Sequence, residues 1–365
     1  MSKHTTVREP LFHVIKRSDM PLWKAWLIRI VSIILGLVIA SLLCSLVSGK
    51  SPLLVPLSML DGCFGSSVAI WVFLRDGALL LGVSLALVPA FKMKFWNLGG
   101  NGQILVGCLA TTICMYYLGD KMPNWIVNIL MIVSAIVAGA LWAVIPAIFK
   151  ACFKTNETLF TLMMNYVASG LVEFFIVLWR PKSGALNPLD RGHLPVIGNN
   201  YLLAIIVVAV LVVAVTIYFK FSKHGYEVTV VGESENTAKY IGINVKKVVI
   251  RTLILSGAIC GIIGLLLSGA INYTVSSGMN ANMGFTAIMT AWLGKFNPLV
   301  IILTSYFVMF LSKGMQDVRM VLGFTDDSLS SIVTGIIYFL IIACEFFISY
   351  KMIFRGKKSA KKEGK

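Results

Sequence analysis

The sequence predicts an all-α polytopic membrane protein. Of its 365 residues, 58% are hydrophobic and 13% are charged, and the mean hydropathy is +0.85. Several apolar runs exceed the roughly 18 residues that a helix needs to cross a bilayer. The apolar residues in these runs are continuous rather than alternating, which favours helices over the strands of a membrane barrel.

The apolar periodicity and the breaks between runs predict about ten transmembrane helices. Two of the ten, 284–294 and 298–312, are short for a full crossing. The first span follows a long basic leader and lacks a cleavage pattern, so we expect it to remain as an anchor. The predicted spans lie near 25–48, 67–92, 102–118, 124–149, 157–179, 199–220, 248–270, 284–294, 298–312 and 328–350.

The basic residues predict that both termini lie in the cytoplasm. This orientation places 24 of the 32 Lys and Arg residues inside and 7 outside, with Arg75 within a span, in agreement with the positive-inside rule. We therefore expect three parts: a basic cytoplasmic segment 1–24, a transmembrane domain 25–350 with a cytoplasmic loop 221–247, and a basic cytoplasmic tail 351–365. The tail should attract anionic membrane lipids. The net charge of +16 is then a topology signal, not a sign of nucleic-acid binding.

The sequence contains no complete motif for catalysis, nucleotide binding or metal binding. The "GKS" at 49–51 would need a glycine at position 44 to form a phosphate-binding loop, and Cys44 stands there. Gly100 and Gly102 begin a dinucleotide fingerprint, but Leu105 occupies its third glycine position and no strand precedes it. The seven cysteines lack CxxC spacing, so we predict neither disulfides nor a metal site. The sequence thus predicts a protein without cofactor that is not an enzyme.

A polar stripe runs along one predicted helix. Thr161, Asn165, Ser169 and Glu173 recur every four positions and should form one slowly winding face. Such groups cannot face lipid cheaply, so they either line a solute path or tie this helix to its neighbours. Because Glu173 is the most costly group to desolvate, we expect it to serve the path or its gating.

Other helices carry features of packing and of discontinuity. Gly257, Gly261, Gly264 and Ser268 should form a small-residue face for close helix contact. "VFLRDGALL" and "WLGKFNPLV" each interrupt an apolar run with charges or proline, which predicts broken spans. Broken spans often mark transport pathways, and a simple kink is the alternative.

The polar stretch "VVGESENTAKYIGINVKKV" at 230–248 predicts a short helix over 235–241. Ser234 should cap its start and Gly242 should end it in the left-handed conformation. A two-turn helix is marginal alone in water, so it needs a partner surface. We expect Ala238 and Ile241 to share one face that fills a groove on a partner protein, and the alternative is that the helix lies on lipid or on its own bundle.

Four blocks resemble the permease subunits of ABC importers for nucleosides and simple sugars, a group that includes ribose and branched-chain amino acid permeases. They are "WNLGGNGQILVGCLA" (96–110), "NETLFTLMMNY" (156–166), the stretch from Val231 to Gly264, and "GFTAIMTAWLGKFNP" (284–298). Together they span about the last three quarters of the chain. The sequence departs from the family pattern at Asn101, Thr237, Thr290 and Trp292.

This resemblance implies a transporter of several subunits. The expected partners are a cytoplasmic ABC ATPase, a second permease subunit that is a sister or a second copy, and an extracellular solute-binding protein that is a lipoprotein in Gram-positive cells. Nucleosides are the preferred solute; ribose or galactose in the same family, or an ion-coupled secondary transporter, are the alternatives. The resemblance implies an ATPase-coupling segment of Gly232, Ser234, Glu235, Ala238, Ile241 and Gly242, and it adds Asn101 and Gln103 to the stripe as candidate path residues.

Overall fold

The computed structural model describes residues 12–16, 21–324 and 328–354. Most of these residues are helical, as the sequence predicts. The helices are α1 Leu22–Ser48, α2 Leu54–Phe64, α3 Ser67–Lys92, α4 Gly100–Leu118, α5 Asn124–Phe153, α6 Glu157–Trp179, α7 Leu202–Phe221, α8 Lys223–Glu233, α9 Glu235–Tyr240, α10 Val245–Leu266, α11 Met283–Leu293, α12 Pro298–Leu322 and α13 Ser328–Ser349. A π-helical segment, Leu267–Asn272, extends α10, and two strands, β1 Phe12–Lys16 and β2 Tyr350–Phe354, pair antiparallel.

Eight helices in the described part of the chain are long and apolar enough to cross a membrane, which makes this a multi-pass membrane protein. They are α1, α3, α5, α6, α7, α10 with its π segment, α12 and α13. The other two predicted spans correspond to α4, with 19 residues, and to α11, with only 11. The predicted short span at 298–312 is wrong in length, because α12 continues through Lys313 and has 25 residues.

The predicted break at Arg75, Asp76 and Gly77 is also wrong, since α3 is continuous through all three residues. The Arg75 Nε donates to Asp76 Oδ1 at 2.9 Å, so the two mostly buried charges pair with each other without a break in the helix. Gly77 lies against the ring of Tyr306, and a Cβ at this position would overlap that ring. The glycine therefore serves close packing rather than a change in helix direction.

The chain divides into two compact units, one of residues 1–65 with 311–365 and one of residues 66–310. In the first unit α1 packs along α13, and the Arg29 Nη2 lies 2.5 Å from Glu345 Oε1. The β1–β2 ladder belongs to this unit as well. Residues 1–11 and 17–20 of the predicted N-terminal segment and residues 355–365 of the predicted tail lie outside the described residues.

The second unit is built around α10, which packs against α3, α4 and α5. The small-residue face is confirmed as a packing surface. A Cβ at Gly257 would overlap the Gly139 carbonyl oxygen, and a Cβ at Gly261 would overlap that of Ala135. Gly264 instead lies against α4, where its carbonyl oxygen accepts a hydrogen bond from Cys108 Sγ at 3.3 Å. Close backbone approach at these glycines increases van der Waals contact between helices, which is the main attraction available in lipid.

Candidate functional site

A buried cluster of amide side chains surrounds the turn that leads into α4. Asn97 has no exposed surface, and its Oδ1 accepts hydrogen bonds from the Gly99 backbone N–H at 3.0 Å and from Gln103 Nε2 at 3.3 Å. Its Nδ2 donates to Ser256 Oγ of α10 at 3.3 Å. The Asn97 side chain thus stabilises the glycine-rich turn, because it forms hydrogen bonds that the backbone of the turn does not form by itself.

The first half of the predicted polar stripe joins this cluster. Thr161 Oγ1 accepts from the Leu98 N–H at 3.1 Å, and Asn165 Oδ1 accepts from the Gly102 N–H at 2.8 Å. The Asn165 Nδ2 also donates to the Leu98 carbonyl oxygen at 2.9 Å. Both side chains therefore satisfy backbone groups at the start of α4, where the first N–H groups of a helix have no partner within the helix.

Asn101 connects this turn to a discontinuous span. After the π segment, residues 273–282 run back alongside α4, and Asn280 Nδ2 donates to the Asn101 carbonyl oxygen at 3.2 Å. The half-length helix α11 begins beside them, and Asn101 Oδ1 accepts from the Gly284 N–H at 2.7 Å. No side chain within α11 caps its own start. The break predicted from "WLGKFNPLV" is confirmed, because α11 ends at Leu293 and α12 begins at Pro298.

Gln103 lies at the centre of the cluster with 1% of its surface exposed. Its Oε1 has no hydrogen-bond partner among the described residues. A buried acceptor that is left unsatisfied costs about 1–3 kcal/mol. The cluster therefore has the capacity to accept one more hydrogen bond.

The predicted stripe winds around α6, so its second half lies on another side of the helix and has different surroundings. Thr161 and Asn165 are buried against α4, whereas Ser169 is half-buried and Glu173 is exposed. Residues four apart advance about 40° around a helix with 3.6 residues per turn, so three such steps rotate Glu173 by about 120° from Thr161. Glu173 consequently lies on a different side of α6 from Thr161, and it is exposed in the chain by itself.

A second candidate site is the short helix α9, whose predicted caps are confirmed. Ser234 Oγ accepts from the Thr237 N–H at 3.2 Å, and Gly242 ends the helical turn with φ of 84°. Glu235 is exposed, with its Oε2 3.9 Å from Lys239 Nζ. Gly232, just before the helix, lies so close to the Lys92 carbonyl oxygen that any Cβ would overlap it.

The expectation that Ala238 and Ile241 share a free face is wrong. Ala238 has no exposed surface and packs into an apolar core with residues of α3, α5, α8 and α10. The exposed side of the segment instead presents Tyr240, which is 92% exposed, and Ile241, which is 52% exposed. A cavity of about 200 Å³ lies beside α9 and is lined by Gly232, Ser234 and Glu235, and by the Lys150–Glu157 ion pair at 2.7 Å.

The carboxylate of Glu227 braces the preceding helix α8. It accepts a hydrogen bond from Arg251 Nη2 at 2.5 Å, and this bond holds the pKa of Glu227 below its usual value. The bond joins α8 to α10, on which Ala238 also packs. The polar segment is therefore attached to the bundle on both sides of Ser234.

Sequence reasoning missed Asn97, Asn280 and Tyr240. Asn97 stands two residues before the glycine pair Gly99–Gly100, and an asparagine close to glycines is a recognisable turn signal. Asn280 and Tyr240 have no local pattern that would distinguish them. Two departures from the family pattern also have clear roles: Thr290 is fully buried and hydrogen-bonded to Ser84, and Trp292 packs on Trp96. Thr290 therefore joins α11 to α3 and does not face open space.

Comparison with known proteins identifies the family. A family model described as the permease component of branched-chain amino acid transport systems matches residues 69–342. The chain belongs to this permease family. The match includes the amide cluster, the discontinuous span and α9. No solved structure matches the chain.

Several curated members of the permease family are similar over most of their length. The guanosine ABC transporter permease protein NupP of Bacillus subtilis is 29% identical over 92% of this chain and 97% of its own. The nucleoside ABC transporter permease protein NupB of Lactococcus lactis is 24% identical over 90% of this chain and 91% of its own. A glucose ABC transporter permease of Haloferax volcanii is 27% identical, with 77% of each chain covered.

Proposed function

We propose that this permease moves nucleosides into the cell with energy from ATP that a separate subunit hydrolyses. The similarity to a guanosine permease, which extends over 92% of this chain, supports this proposal most directly. A simple-sugar solute is the second candidate, and the similarity to a glucose permease favours it. The chain itself contributes no chemistry, only two conformations whose balance its partners shift.

In this proposal α9 is the contact with the ATPase. Tyr240 and Ile241, at the end of α9, are its exposed large apolar side chains, and an exposed aromatic with an adjacent aliphatic residue suits a protein groove. Ala238 transmits the motion, because it is locked into the core that joins α3, α5, α8 and α10. Displacement of α9 then tilts these helices together, since a packed core moves as a body rather than deforming.

The solute path lies along the free side of α6. Glu173 is exposed there, and a charged side chain in lipid is costly, so this face requires water or a second subunit. A nucleoside offers ribose hydroxyl groups, which donate well to a carboxylate. The second permease subunit completes the path opposite Glu173 and Ser169. The amide cluster fixes the starts of α4, α6 and α11 relative to one another, on the side of α6 that faces α4.

The orientation follows the distribution of basic residues. Both termini and α9 lie in the cytoplasm, where the ATPase binds. Residues 180–201 lie outside, where a solute-binding lipoprotein releases the solute to the permease. The basic termini contact anionic lipid headgroups.

Uptake by the complete transporter tests this function. Cells or vesicles that contain the permease, its second subunit, the ATPase and the binding protein should accumulate radiolabelled guanosine only when ATP is hydrolysed. Excess unlabelled adenosine should compete, whereas ribose should not. Competition by ribose or glucose alone would support the sugar alternative, and uptake that persists without the ATPase but stops with an ionophore would contradict an ABC transporter.

A further inference from the structure

We propose that residues 180–201, here called the platform loop, form the docking surface for the solute-binding protein and connect it physically to the discontinuous span. This inference rests on the proposed function and assigns one of its partners to a surface. The platform loop joins α6 to α7 with 22 residues that contain no helix, and a loop of this length within a compact unit is uncommon unless it has a function.

The underside of the platform loop is part of the protein core. Leu186 and Leu194 are only 6% and 7% exposed, and Leu194 packs with Met131 and Ala270 in one apolar cluster. Gly192 adopts a φ of 77° and lies against Met115 of α4, where a side chain would be crowded. The loop is therefore held in a fixed position on the bundle.

Four contacts tie the platform loop to the π segment and to the residues that follow it. The Leu194 N–H donates to the Gly269 carbonyl oxygen at 3.0 Å, and the Leu189 N–H donates to that of Tyr273 at 2.7 Å. Thr274 Oγ1 donates to the Leu186 carbonyl oxygen at 2.6 Å. The ring of His193 stacks on that of Tyr273, with centroids 3.9 Å apart.

The same segment continues directly to the amide cluster. Only five residues separate Thr274 from Asn280, whose side chain donates to the Asn101 carbonyl oxygen. Asn101 in turn caps α11. A displacement of the platform loop therefore reaches the half-helix through continuous backbone and hydrogen bonds, and π segments in helices are frequent at such functional positions.

The upper surface of the platform loop determines the kind of partner. It carries three cations, Arg180, Lys182 and Arg191, against one carboxylate, Asp190, and all four are exposed. The Arg191 side chain is 66% exposed, and its Nη1 lies 2.6 Å from Oδ1 of the similarly exposed Asp120. Loss of such an exposed ion pair costs little free energy, so Arg191 can pair with a carboxylate of the binding protein instead. Val196 and Ile197 add exposed apolar area. The surface fits a protein whose contact face is acidic around an apolar centre.

Charge reversal tests the docking surface. The complete transporter in lipid nanodiscs is titrated with its own nucleoside-loaded binding protein, and the affinity is measured. Arg191→Glu should weaken binding about tenfold, mainly through slower association, and the loss should shrink at high salt. Lys223→Glu, the same charge change at the opposite end of the bundle, should leave the affinity unchanged. Equal affinity for wild type and Arg191→Glu would overturn the assignment of this surface.

Removal of one hydroxyl tests the connection. Thr274→Val should leave the affinity for the binding protein unchanged but reduce the stimulation of ATP hydrolysis by that protein about fivefold. Thr274→Ser keeps the hydroxyl and should restore stimulation. Thr216→Val is the matched control, because its hydroxyl bonds only within α7, to the Val212 carbonyl oxygen.

Wild-type stimulation in Thr274→Val would show that the platform loop does not act through Thr274, and would overturn the connection. Failure of the proposed function has a different signature: the wild-type transporter itself would take up no nucleoside. The two outcomes are therefore separable in one set of preparations.

Discussion

At the scale of single residues, carboxylates in apolar helices have contrasting surroundings. Glu157 lies 2.7 Å from Lys150, and Glu345 lies 2.5 Å from Arg29. Glu173 instead faces outward from α6. The sequence shows all three as acidic residues in or beside apolar runs, and only their surroundings separate structural ion pairs from a group that is available to solute.

Glu173→Gln should change transport kinetics without changing the amount of folded protein. Loss of a charge-assisted hydrogen bond to a ribose hydroxyl should lower uptake efficiency about tenfold, equivalent to about 1.4 kcal/mol. Initial uptake rates at several guanosine concentrations, normalised to protein level, measure this effect. Glu345→Gln provides the contrast, because loss of its ion pair should reduce protein level first. Unchanged kinetics in Glu173→Gln would assign Glu173 to a structural role.

Substitutions in α9 should separate folding from coupling. Ala238→Asp places a charge in a fully buried site and should lower the yield of folded protein, since such burial costs several kcal/mol. Tyr240→Ala removes an exposed ring and should leave the yield intact while uptake falls about tenfold or more. Size-exclusion profiles and uptake assays measure the two effects. Normal uptake in a well-folded Tyr240→Ala variant would exclude this ring from the ATPase contact.

At the scale of elements, glycines distinguish packed from open helix faces. Gly261 of α10 touches the backbone of α5, whereas Gly170 of α6 has no atom within 4 Å of the position its Cβ would take. Both are helical glycines in apolar sequence. The regular spacing of Gly257, Gly261 and Gly264 revealed the first surface in advance, and no spacing marks the second.

Alanine at these two glycines should therefore have opposite effects. Gly261→Ala forces α10 and α5 apart and should lower the free energy of unfolding by about 1–3 kcal/mol. Gly170→Ala meets no atom of this chain and favours the helix by about 0.5–1 kcal/mol. Thermal unfolding in detergent measures both. If the second permease subunit contacts Gly170, Gly170→Ala should lower stability only in the assembled transporter. Gly261→Ala, in contrast, should lower the stability of the permease chain by itself.

At the scale of the whole molecule, one compact unit contains both α9 and the platform loop. One apolar cluster holds α9 on the bundle and a second holds the platform loop, and both clusters include residues of α5 and α10. This arrangement suits a transporter in which an ATPase at one end and a binding protein at the other act on the same helices. The distribution of basic residues predicts that α9 is at the cytoplasmic end and the platform loop at the outer end.

Thiol labelling tests the orientation of the chain. Among the seven cysteines six are buried and Cys152 is exposed, so a Cys152→Ser variant should show little labelling of its native cysteines. In that background, Ser183→Cys should react with a membrane-impermeant maleimide on intact cells, and Asn236→Cys should react only after the membrane is opened. The reverse pattern would place α9 outside and contradict the proposed contact with a cytoplasmic ATPase.

The sequence by itself determined the helical membrane fold, the caps of α9, the glycine face of α10 and the family. These features depend on local chemistry, namely apolar run length, capping residues and small-residue spacing, which a linear pattern retains. The tertiary structure alone decided that Ala238 is buried, that α3 continues through Arg75, that the polar stripe divides, and that Asn101 caps a half-helix from a distant segment. Each of these depends on which neighbour a side chain meets after a rotation of 100° per residue, and the sequence does not contain the positions of those neighbours.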